Sequence, residues 1–159
     1  MIKEILLKKA KGLPVVEKPE GLRKFVDCKI GNLRFFIEME SVRELAPLVS
    51  ITNIPGADYN ILGVLNLRGE IVVVIDLREK FKISEVKKTI LSRIVIVNVE
   101  GELIGIFVDE ASNIVEVTKE QFIDSPKRAE PFYLEYIDIE GEEIGVLDLK
   151  KIYLDYKIK

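Results

Sequence analysis

VLNLRGEIVVVIDLREKF, residues 64–81, returns in altered form as YIDIEGEEIGVLDLKKIY at residues 136–153. Gly69 aligns with Gly141, Glu70 with Glu142, Val74 with Val146, Asp76 with Asp148, Leu77 with Leu149 and Phe81 with Tyr153, always 72 residues apart. A second, fainter echo has the same offset: MESVREL at 39–45 returns as ASNIVEV at 111–117. A fixed offset in a chain of 159 residues indicates one unit built twice. Two copies are too few for a solenoid, so they predict two similar small subdomains sharing a core.

The texture of each unit is that of short strands. FVDCKI at 25–30 is followed by the hairpin signal Gly31-Asn32 and then LRFFIEM. TNIPGADYN at 52–60 is loop, with Pro55-Gly56 as its turn. ILGVLNL, a turn at Arg68-Gly69 and IVVVI at 71–75 follow; five consecutive β-branched residues suit a strand buried on both faces. LREKF at 77–81 reads as one helical turn, and residues 82–92 as the connector. The second unit opens with RIVIVNV at 93–99, turns at Glu100-Gly101 and continues ELIGIFVDEA. Thr118 to Gln121 has capping-box form and reads as one helical turn. Ser41 to Glu44 has the same form, and either opens a short helix or is strand sequence that mimics one. Residues 124–131 are loop. Residues 1–24, with two prolines and two glycines, read as an N-terminal extension with one helical turn near residues 2–10. Short, evenly spaced strands with tight turns predict small barrels. A unit of this size alone is marginal, because it buries a small share of its surface.

Composition narrows the function. At 48% hydrophobic and 32% charged the chain is globular. A net charge of −3 argues against a broad nucleic-acid footprint. No run of about 18 apolar residues marks a membrane span, and the opening MIKEILLKKAKG has too short an apolar stretch for a signal-peptide core. The single cysteine, Cys28, excludes an internal disulfide and fits a reducing cytosol; its alternation with Val26 and Ile30 makes it a small buried hydrophobe. Histidine is absent, which removes the commonest general base and zinc ligand together.

The segment SVREL…ITNIPGADYNILGVLNLRGEIVVVIDLREKF resembles the CheW family of chemotaxis coupling proteins. The features that carry the resemblance are Val42-Arg43-Glu44, the Pro55-Gly56 loop, Gly63-Val64, Asn66-Leu67-Arg68-Gly69 and Val74-Ile75-Asp76-Leu77, with GELIGIFVDEASNIVEV and EEIGVLDLKKI in the second half. It covers residues 25–153 and implies a mainly β fold of two five-stranded SH3-like barrels, expected at about 25–84 and 93–153, with a tail at 154–159. It implies no enzyme activity and no cofactor. The implied partners are the regulatory domain of a CheA-type histidine kinase and the cytoplasmic tip of a chemoreceptor. The implied location is the cytoplasm, beside membrane receptor arrays reached through those partners. The sequence departs from the family in its longer N-terminus, in Tyr136 where glycine is common, and in a short tail after Tyr153 that predicts no long closing helix.

Within that frame Arg68 stands out, because its copy in the second unit is Glu140 while the surrounding framework agrees. The resemblance pairs Arg68 with Glu44 near a receptor-binding groove and sets Gly63 beside partner surface; Val42, a candidate for the receptor-binding set, and Ile54 and Leu65, candidates for a kinase or partner surface, are apolar positions open to either core or partner. Leu45 is a further apolar position open to either core or partner. Gly69 and Gly141 are turn glycines supplying a positive φ. Asp76 and Asp148 read as caps of the turns that follow, in preference to paired catalytic carboxylates. No catalytic set and no metal-ligand spacing emerges, and Asp109-Glu110 reads as a solvated strand end. The competing functions are an adaptor in a different two-component complex, a small-barrel nucleic-acid binder, which would need a basic groove with stacking aromatics, and a carboxylate hydrolase. The charge balance and the turn setting of the acids disfavour the last two.

Overall fold

The structure, a computed structural model, describes residues 22–48, 51–57, 60–83 and 89–158. The helical turn expected near residues 2–10 lies outside them. Eleven strands form: β1 (Arg23–Ile30), β2 (Leu33–Glu38), β3 (Val42–Pro47), β4 (Ile51–Thr52), β5 (Ile61–Leu67), β6 (Glu70–Ile75), β7 (Arg93–Val99), β8 (Glu102–Val108), β9 (Glu110–Val117), β10 (Tyr133–Ile139) and β11 (Glu142–Leu147); helix α1 (Leu149–Ile158) follows. β1 thus takes in Arg23 and Lys24, two residues assigned above to the extension.

Tight hairpins set the register. Arg68 and Gly69 both have positive φ, 49° and 89°, and so do Glu100-Gly101 and Glu140-Gly141. That is the geometry of a two-residue turn whose twist matches its flanking strands. In each case an acceptor side chain two residues before the tip takes the glycine N–H: Asn66 at 2.9 Å, Asn98 at 3.0 Å and Asp138 at 2.8 Å. The repeat is also structural, since β5 and β6 span the same positions as β10 and β11 less 72.

The strands make two sheets, one ordered β10-β11-β2-β1-β9 and the other β3-β7-β8-β6-β5-β4. Neither is confined to residues 25–84 or to 93–153. The first two strands of each unit have changed places: β1 and β2 complete the sheet of the second unit, and β7 and β8 that of the first. The exchange is reciprocal. β3 pairs antiparallel with β7 and β9 with β1, while β6 runs parallel to β8 and β11 to β2.

Burial explains the exchange. Each sheet curls round its own core. Phe25, Phe36, Val117, Ile137, Ile144 and Val146 fill one, and Ala46, Leu65, Val72, Val74, Ile94, Ile96 and Phe107 the other. A third core lies between the sheets and takes Val26, Cys28, Phe35 and Ile37 from one hairpin and Val95, Val97, Ile104 and Ile106 from the other. Because side chains alternate along a strand, the exchanged hairpins bury both faces, which is why Ile94 to Val97 are apolar throughout and why Asp27, buried on the Phe25 side, is paired with Arg34.

One open alternative is resolved and one expectation is corrected. Ser41 to Glu44 opens no helix; a 3-10 turn at Met39–Ser41 leads directly into β3. The tail after Tyr153 is not short of a helix, because α1 runs ten residues from Leu149. Asp148 accepts the Lys151 N–H at 3.1 Å and caps it. Leu149, Ile152, Tyr153 and Tyr156 pack on the core between the sheets. The turn at 77–81 forms as expected, with Phe81 N–H donating to the Leu77 carbonyl at 3.0 Å.

Candidate partner-binding site

Glu44 stands on β3 at a register shift, where its strand slips against β7 between Val42 and Glu44. Arg68 stands at the tip of the β5–β6 hairpin, held there by its turn geometry. The curl of the sheet brings the two ends together, and Arg68 Nη2 donates to Glu44 Oε2 at 2.8 Å. Arg68 keeps 75% of its side chain exposed while Glu44 is half-buried. An exposed pair of this kind contributes little to stability, about 0–1 kcal/mol.

The second unit has no such pair. Glu140 occupies the equivalent tip with the same backbone, φ 52°, yet makes no ion pair among the described residues. Glu116, the counterpart of Glu44, faces Lys24 at 3.9 Å instead. The framework therefore repeats where the charge pair does not.

The other expected site residues divide by burial. Val42 is half-buried and packs on the core between the sheets. Ile54 is 42% exposed beside the turn at Pro55-Gly56, where Ala57 N–H donates to the Ile54 carbonyl at 3.2 Å. Leu65 offers no partner surface, because it is buried among Ala46, Val72 and Phe107. Gly63 is likewise buried; a Cβ there would lie 2.4 Å from the Thr52 carbonyl oxygen, so β4 of the same chain occupies the space a side chain would need. Its strand slips against β6 between Ile61 and Gly63, the bulge such a glycine marks.

Leu45 and Ile71 are exposed on the same sheet as Glu44 and Arg68. Ile71 departs from the expectation that residues 71–75 are buried throughout, since its side chain emerges beside the hairpin tip. The run IVVVI carries no apolar–polar alternation, and Ile75 on the same face is buried, so no local signal in the sequence marked Ile71 out.

The remaining acids act as structural groups. Asp76 accepts the Arg78 N–H at 3.0 Å and binds its guanidinium, holding Arg78 above the usual arginine range. Asp109 Oδ2 accepts the Gly31 N–H at 2.7 Å and so fixes the β1–β2 turn to the start of β9. Among the described residues no three acidic or cysteine side chains gather as a metal site, and no helix is long and apolar enough to cross a membrane.

The CheW-like domain family matches residues 24–155. The chemotaxis protein CheW of Klebsiella aerogenes is 33% identical over 148 residues, covering 89% of each protein. That of Rhizobium meliloti is 26% identical over 137 residues, covering 84% of this chain and 88% of the relative. The crystal structure of the scaffolding protein TtCheW from Thermoanaerobacter tengcongensis superposes with a TM-score of 0.76 at 27% identity, covering 86% of this chain and 90% of that one. On that match, and on a double barrel of the same kind, the chain belongs to the CheW-like family, whose members are chemotaxis adaptors and not enzymes.

Proposed function

We propose that this chain couples chemoreceptors to a CheA-type histidine kinase, holding the kinase's regulatory domain and a receptor tip at once. The observation that carries the reading is the Arg68–Glu44 pair. It sits on a conserved-by-repeat framework, lacks a counterpart in the second unit and contributes little to the fold. In this reading Arg68, Glu44 and the exposed part of Val42 meet the receptor. Ile54, with Leu45 and Ile71, supplies apolar surface of the kind one barrel uses to dock on another. Gly63 and Leu65 shape that surface from beneath and touch no partner. The chain reaches the membrane array through its partners and inserts nothing of its own. Coupling of this type is worth about 1–3 kcal/mol.

The test is a calorimetric titration against the regulatory domain of a CheA-type kinase from the same genome, with Arg68→Ala run in parallel. One-to-one binding unchanged in the variant, together with lost kinase activation when receptor is present, supports separate faces for the two partners. Arg68→Ala should lower stability by no more than about 1 kcal/mol. Loss of the fold in that variant with no separable coupling defect refutes the assignment. Failure to bind any CheA-type kinase redirects the reading to another two-component complex.

A further inference from the structure

A cleft of about 660 Å³ opens where β2, β10 and β11 meet the turn after β6 and the loop before β10. None of its walls belongs to the Glu44–Arg68 surface. Its volume falls in the range of small-molecule sites, roughly 300–1,000 Å³.

The aromatic wall is a connected set. Phe81 meets Phe132 edge-on at 4.6 Å between ring centres, Phe132 meets Tyr133 at 5.5 Å, and Tyr133 meets Tyr136 at 5.7 Å. This wall depends on a glycine. A Cβ at Gly145 would fall 2.3 Å from the Tyr133 ring, so β11 leaves out a side chain where the ring lies. Tyr136 also ties down the neighbouring loop, since the Glu130 N–H donates to its hydroxyl.

Four cations border the cleft, and they are not equivalent. Arg34 is held by both oxygens of Asp27 at 2.9 Å and by Glu142 at 3.0 Å, and Lys80 by Asp155 at 2.6 Å. These two belong to the wall. Arg128 is 89% exposed and, among the described residues, its one ion pair is with Glu130, at 3.3 Å. Lys82 is exposed, has a φ of 56° and makes no ion pair among the described residues. The carboxylate of Glu143 is engaged by the Lys127 N–H at 2.7 Å. The cleft therefore offers aromatic rings with two exposed cations at its mouth, Lys82 and an Arg128 whose one ion-pair partner, Glu130, it can exchange.

We propose that this cleft binds a small planar aromatic anion, a flat ring bearing a carboxylate, sulfonate or phosphate. The ring lies against the Tyr and Phe side chains. The anion is held by Lys82 and by Arg128, which exchanges Glu130 for it.

The experiment titrates the full chain with anilinonaphthalene sulfonate, followed by fluorescence and by amide chemical shifts. Its uncharged relative, N-phenyl-naphthylamine, is run beside it. The expected result is one saturable site with shifts concentrated at residues 80–82, 128–136 and 145, and weaker binding of the uncharged dye. The double variant Lys82→Glu, Arg128→Glu changes only exposed side chains and keeps the fold. It should weaken the sulfonate at least about tenfold, as expected for the loss of charge-assisted bonds. No saturable binding, shifts centred elsewhere, equal affinity for the two dyes, or an unchanged affinity in the double variant would each overturn the proposal.

Discussion

Replacing Ile152 by alanine tests the placement of α1 most sharply. Ile152 is 1% exposed, in the core between the sheets, whereas Leu154 on the same helix is 45% exposed. Both substitutions leave helix propensity nearly unchanged or improve it, so the difference between them isolates burial. Removing the Ile152 side chain should cost about 2–5 kcal/mol, the transfer loss plus the cavity left behind. For a chain of this size that lowers the melting temperature by roughly 4–20 °C. Leu154→Ala should stay within about 0.5 kcal/mol. The helix has polar ties as well: Tyr153 to Glu102 on β8 at 2.5 Å, Asp155 to Lys80 at 2.6 Å and Lys151 to the Pro131 carbonyl at 2.8 Å. These hold its orientation in both variants, so the cavity cannot collapse by simple rotation. Urea unfolding and calorimetric melts of the two proteins provide the measurement. Equal small losses would refute the reasoning, because α1 would then be held by its polar ties and not by its buried face.

Two further outcomes follow from local geometry. Gly145→Ala should cost about 1–3 kcal/mol through displacement of the Tyr133 ring. Gly141→Ala meets no atom within 4 Å and should cost about 1 kcal/mol through its positive φ alone. Asparagine at residue 141, which tolerates that φ, should recover most of the loss, and denaturant unfolding of the three variants checks the pattern. Cys28 gives a pH dependence. Burial first, then the Asp27 charge, pushes its thiol well above the ordinary value of 9.0. The folded protein therefore keeps a proton that the unfolded chain gives up. The stability this represents is complete below about pH 8.5–9 and falls as pH rises further, by up to about 1.4 kcal/mol per unit. Burial also raises the Tyr133 hydroxyl above its usual value of 10.0, which adds to the alkaline loss. Cys28→Ala should remove the part that begins near pH 9, as read from urea unfolding between pH 8 and pH 10.

The hairpins were legible because their causes are local. A residue-glycine tip at 68–69, 100–101 and 140–141 and alternating apolar residues on either side are sufficient. The caps at Asp76 and Asp148 were legible for the same reason. α1 was also written in the sequence, since Leu149, Ile152, Tyr153 and Tyr156 follow the i, i+3, i+4, i+7 spacing of one helix face. Aligning that segment on LREKF, which stops after one turn, hid it. Glu44 and Arg68 could be paired only through the family resemblance, because 24 residues and the curl of a sheet separate them. Leu65 and Ile71 lie on opposite sides of one hairpin face pattern, and which side meets solvent is decided by the packing of β3 and β7.

The exchange of hairpins is the feature local signals could not carry. Alternation says that a segment is a strand, and a tight turn names its nearest partner, but neither says which distant edge it will join. The deciding quantity is burial of two faces. β7–β8 is apolar on both sides, and β1–β2 buries Phe25 and Phe36 on one side and Val26, Cys28, Phe35 and Ile37 on the other, so each must lie between two cores, and only a place shared by both sheets provides that. Cutting the chain within residues 84–88 tests this directly. With two contiguous barrels each fragment would fold alone. With exchanged hairpins each fragment lacks strands its own sheet needs: β3 loses β7, β6 loses β8, β9 loses β1 and β11 loses β2. Each fragment alone should therefore fail to melt cooperatively and should aggregate through its bare apolar strands. Mixed in equal amounts, the two should restore a cooperative transition and co-elute. Cooperative folding of either fragment by itself, seen in calorimetry or in dispersed amide spectra, would refute the exchange. The same interlocking bears on the proposed function. A load placed on the Glu44–Arg68 surface cannot part the two barrels without breaking strand pairs, so under the proposed function a shift at a receptor tip would be passed on by a rigid body and not absorbed at a hinge.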